Sequence, residues 1–135
     1  MLSKRLIKLF LKIQFIALTI VLYTIATALI LLTENTFEYF DIYFVNPLAL
    51  NQVKANMGGL LIFAGTIPIM WLKTKKDYWL QTFMYILFFV IFARTISFFT
   101  DGFHSVTGFL WFGEGIHIYF CHYILKNFPD GSFFD

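Results

Sequence analysis

Residues 13–33 contain no charged side chain, and neither do residues 55–72. Each run approaches the roughly 20 residues that an α-helix needs to cross the hydrocarbon core of a bilayer. Two further apolar runs are each broken once, residues 78–99 by Arg94 and residues 104–125 by Glu114. Backbone amides in lipid have no water to bond to, so segments of this kind must be helical. Composition points the same way: 59% hydrophobic, 21% aromatic and 13% charged residues leave too little polar surface for a soluble domain of 135 residues. The expected fold is all-α, a polytopic membrane protein with four transmembrane helices near 8–32, 52–72, 78–99 and 104–126. They form an antiparallel bundle within a single domain covering 1–135.

The amino end carries Lys4, Arg5, Lys8 and Lys12, and Ala26-Thr27-Ala28 imitates the small-residue cleavage site of a signal peptide. The apolar run continues through residues 29–32, which favours a retained span over a cleaved leader. Orientation follows from Lys and Arg in the connections. The second connection holds Lys73, Lys75 and Lys76 and the tail holds Lys126, whereas the first loop has Lys54 against Glu34, Glu38 and Asp41. Both termini are therefore expected in the cytoplasm, which four spans allow. The net charge of +2 reflects this topology, and no nucleic-acid partner is expected.

Cys121 is the only cysteine, which excludes an intrachain disulfide and reads as a small buried apolar residue. The first loop is dense in Phe and Tyr, the composition of an interfacial segment with a short helix. Asn46-Pro47 breaks that segment before the second span, and Pro68 is expected to bend the second helix. Gly58, Gly59 and Gly65 in the second helix and Gly108, Gly113 and Gly115 in the fourth are candidates for close helix packing, because small residues let backbones approach in lipid. Most of that packing is expected within the bundle, with a homo-oligomer seam as the alternative.

A charge at the bilayer centre costs about 2.5 to 3.5 kcal/mol on insertion scales, so Arg94 and Glu114 should face the bundle interior and each other. Arg94, Ser97 and Asp101 share one face of helix three, and Trp111, Glu114, His117 and Cys121 share one face of helix four. Asn51 and Lys54 head helix two from the same side. Lys54, Arg94, Asp101 and Glu114 balance in charge, which favours a closed ion-pair network with a structural role. The alternative is an outward-open polar cavity for a small polar or lipidic ligand. Glu114 and His117 have the spacing of bundle metal sites, but such sites repeat the motif and add carboxylates from other helices. No metal and no cofactor is expected. Nothing arranges Ser, His and Asp as nucleophile, base and orienter, so no enzyme activity is expected either. The stretch GGLLIFAG lies inside a helix and lacks the strand, turn and Lys of a phosphate-binding loop.

A basic residue ahead of a glycine pair (Lys54, Gly58, Gly59), an Arg followed by a Ser late in the third helix (Arg94, Ser97), an Asp-Gly turn (Asp101, Gly102) and an acid in the fourth helix (Glu114) form a pattern. In it the chain resembles the small bacterial four-helix membrane proteins of domain-of-unknown-function family 4345. The motifs lie within residues 51–115, and Lys54 stands where that family more often has Arg. The resemblance implies a bacterial inner-membrane location and no established reaction. It also implies that the four charged positions belong together. A non-enzymatic membrane protein follows, an accessory subunit with a membrane-protein partner or a homo-oligomer.

Overall fold

A computed structural model describes residues 4–39, 43, 45–100, 102 and 105–134. Among them every regular element is helical: α1 (Lys4–Leu31), α2 (Glu34–Tyr39), α3 (Pro47–Val53), a π-helical turn (Lys54–Gly58), α4 (Gly59–Thr74), α5 (Asp77–Thr100), α6 (Ser105–Asn127) and a closing 3-10 helix (Pro129–Phe134). Among the described residues three helices are long and apolar enough to cross a membrane: Lys4–Leu31, Pro47–Thr74 taken through the π turn, and Asp77–Thr100. With 23 residues α6 has the length, but Glu114, His117, His122 and Lys126 make it more polar than these three. Large apolar side chains point outward on several helices, among them Leu31 at 73%, Phe89 at 67%, Phe99 at 87% and Phe109 at 76% exposure. An exterior of this kind is stable in lipid and prone to aggregate in water.

Local chemistry sets the helix ends. The second span begins at Pro47, earlier than the residue 52 expected, because the Asn46 side chain accepts a hydrogen bond from the Ala49 amide at 2.9 Å and proline takes the first helical position. At the far end Lys75 adopts a left-handed φ of 59°, and its amide bonds back to the Trp71 carbonyl at 2.8 Å. This is a C-terminal cap of the kind glycine usually provides. Gly102 has φ 88° between α5 and α6, where a side chain would be strained. The short helix expected in the first loop is α2, with Phe37 buried.

The chain divides into two compact units, Ile13–Ile69 and Met1–Lys12 with Met70–Asp135. In the first, α1 and α4 are joined by polar groups. Thr19 is buried and donates to the Gly65 carbonyl at 3.2 Å, and the Tyr23 and Thr66 hydroxyls lie 2.8 Å apart. Such bonds hold helices together where lipid offers no hydrophobic force between them. A Cβ on Gly65 would lie 3.2 Å from the Tyr23 ring and 3.3 Å from Leu22 Cβ, and one on Gly58 would lie 2.6 Å from Ile30 Cγ1. These two glycines sit at true close contacts. Gly65→Leu is expected to lose about 1 to 3 kcal/mol by overpacking, read as earlier thermal unfolding in detergent. An unchanged midpoint would show that α1 and α4 do not meet there.

The expectation for Gly59 and Gly113 needs correction. A Cβ on either would meet nothing within 4 Å, because both glycines face open space. Gly115 is in ordinary contact distance of Ile91, at 3.9 Å.

In the second unit α5 and α6 pack along each other, and the closing 3-10 helix docks against both. The fourth helix is expected to end near 126, and the residues beyond it have no helical period. Phe133 is 1% exposed, with ring centroids 5.1 Å from Trp71 and 5.4 Å from Phe128. Cations surround these rings: Lys8 lies 5.0 Å from Phe128, Lys12 is 5.2 Å from Phe134, and Lys75 is 5.8 Å from Phe134. Lys8 also donates to the Ser132 carbonyl at 2.9 Å. The start of α1, the α4–α5 turn and the end of α6 therefore meet at one end of this unit. The left-handed conformation of Lys75 is offset in part by this contact with Phe134.

Candidate functional site

Arg94 lies six residues before the end of α5, about 9 Å along the axis, and Glu114 lies nine residues into α6, about 13 Å along. Because the two helices run antiparallel through the Gly102 turn, the depths fall within one helical turn. The long Arg side chain closes the gap. Arg94 Nε donates to both Glu114 oxygens at 3.0 Å. The side chains are 29% and 16% exposed, so the pair is largely withdrawn from the surface. One N–H is thus shared between the two carboxylate oxygens, a three-centre bond assisted by the opposite charges.

One turn towards the Gly102 side, Trp111 Nε1 donates to Thr95 Oγ1 at 3.1 Å, and Thr95 Oγ1 donates to the Ile91 carbonyl at 2.8 Å. Thr95 is not among the site residues expected from the sequence. A threonine in a helix ordinarily bonds its own i−4 carbonyl, and nothing in its spacing shows that it also accepts from an indole. Beyond this contact a groove of about 550 Å³ opens between the helices, with Thr95, Phe98, Gly108 and Trp111 among its walls.

His117 is half-buried on α6, where Nδ1 donates to the Gly113 carbonyl at 2.7 Å and the ring packs edge-on against Phe120. Ser97 is half-buried one turn beyond Arg94. Asn51 is exposed on α3 and Lys54 half-buried in the π turn, both in the unit Ile13–Ile69, whereas Arg94 and Glu114 belong to the other unit. Asp101 and His104 lie outside the described residues. Of the four charged positions expected to form a network, Arg94 and Glu114 are in direct contact. Cys121 is buried. Among the described residues no three His, Cys, Asp or Glu side chains are placed to hold a metal ion.

What this arrangement does physically is neutralise α6. Its one carboxylate in the middle of the helix is met by a cation from α5, and the Trp111 indole N–H by a hydroxyl from α5. A polar or charged group withdrawn from water without such a partner carries a large desolvation cost. Compared with protein-family models, curated proteins and solved structures, the chain finds no match.

Proposed function

We infer that this chain is a non-enzymatic integral membrane protein of four spans with both ends in the cytoplasm. On this reading it resides in a bacterial inner membrane, is related to domain-of-unknown-function family 4345, and serves as an accessory subunit. The observation that carries the reading is the Arg94–Glu114 pair. It makes α6, too polar to be an independent span, able to enter the membrane as a hairpin with α5. The meeting of Lys8, Lys12 and Lys75 at the docked tail supports a common cytoplasmic side for both ends and the second connection. Open small-residue faces at Gly59 and Gly113 support a partner helix, since such positions allow close approach in lipid. The groove beside Trp111 favours a second reading, in which a lipidic ligand is held between α5 and α6.

Topology tests the first reading. In a Cys121→Ala background, single cysteines from Tyr43→Cys and Lys76→Cys are exposed to a membrane-impermeant maleimide on intact cells. Position 43 is expected to label from outside and position 76 only after the cells are opened. Equal labelling of both from outside, or of neither, would overturn it.

A further inference from the structure

At the basic end of the unit containing α5 and α6, the first turns of α1 lie beside the last turns of α6. Phe10 and Phe120 meet there in a T-shaped contact with centroids 6.1 Å apart. Two grooves open on this seam. One, of about 420 Å³, is apolar, walled by Leu6, Phe10, Tyr119 and Phe120. The other, of about 540 Å³, is lined by Lys4, Arg5, Lys8, Asn127, Phe128 and Ser132. Both volumes fall in the range of small-molecule sites. Tyr123 of the apolar groove packs against Phe128 of the basic one at 6.3 Å, so one ring pair separates them.

We propose that this seam binds one anionic phospholipid from the bilayer, with the phosphate among Lys4, Arg5 and Lys8 and an acyl chain along the aromatic groove. This rests on the membrane-spanning reading above. The charge argument is direct: among the described side chains, the charged groups that line the basic groove are the cations Lys4, Arg5 and Lys8. Arg5 can grip a phosphate through two parallel N–H groups, and Lys4 adds a point charge one residue away. Lys8 is held at the wall by the Ser132 carbonyl and the Phe128 ring. A free inorganic anion would use the basic groove only. The apolar groove next to it, wide enough for a chain and walled by outward-facing rings, is what selects a lipid. Basic segments at the end of a span lie at headgroup level, where anionic lipids concentrate.

The full-length protein is purified in detergent and offered equal amounts of phosphatidylglycerol and phosphatidylcholine with identical chains, and retained lipid is read by native mass spectrometry. One phosphatidylglycerol per chain is expected, in clear excess over phosphatidylcholine. Lys4→Gln with Arg5→Gln should reduce that retention roughly 25-fold, about fivefold for each cation removed. Tyr119→Ser, at an exposed position, should also reduce it. Lys73→Gln with Lys76→Gln removes the same charge outside the groove and should leave it unchanged. Equal retention of the two lipids, an equal loss in the Lys73 and Lys76 variant, or displacement by millimolar inorganic phosphate would each overturn the lipid site. A chain that inserts with the labelling pattern above yet shows no lipid preference fails on this inference alone; a chain that does not insert fails on both.

Discussion

Alanine at Arg94 or at Glu114 alone is expected to destabilise the protein by about 3 to 5 kcal/mol, because each leaves an uncompensated charge between α5 and α6. The double variant should cost much less than the sum, since neither charge is then left behind. Thermal unfolding in detergent of the two singles and the double measures the coupling. A low-dielectric surrounding raises both the attraction and the cost of the unpaired group, so the coupling should survive added salt. Strict additivity would mean that the two side chains do not share an interaction. Singles as stable as the parent would mean that the charges are kept for a purpose other than folding. Attention would then turn to the groove beside Trp111.

Phe133→Ala carries the other large expected effect. The ring is 1% exposed and touches Trp71, itself fully buried, so truncation leaves a cavity at the docked tail. Phe-to-Ala changes at such sites cost about 3 to 5 kcal/mol, whereas Phe133→Leu, which keeps most of the volume, should cost below about 1.5 kcal/mol. Loss of the tail also removes the rings over which Lys12 and Lys75 sit. The Phe133→Ala protein should therefore unfold earlier and become sensitive to protease near its carboxyl end. A variant that matches the parent in both respects would show that the tail is not docked.

The tail illustrates why part of this fold is not written in hydropathy. "FPDGSFF" has no helical period and few apolar residues in a row. Its place depends on Trp71 and Lys8, distant in the chain, presenting a surface for two rings. The pairing of Arg94 with Glu114 is a different case. Two charges in neighbouring apolar segments, joined by a short turn with Asp101 and Gly102, are placed at similar depth by helical rise alone. Rise is a local property, so counting residues suffices.

Rotation about each helix axis is not local. In soluble helices an apolar stripe marks the inward face, but α4, α5 and α6 carry at most a faint mark of this kind. For that reason Gly58 and Gly65 at close contacts could not be told from Gly59 and Gly113 in open space. The same holds for the bond of Trp111 to Thr95 and for the Tyr23–Thr66 contact. Sequence alone determined that the backbone is helical, where its long apolar segments run and which charges lie between them, because these follow from charge-free length, proline and glycine. Only the tertiary structure decided which faces meet, which glycines are needed for close approach and where the carboxyl tail docks, because these depend on contacts between residues far apart in the chain.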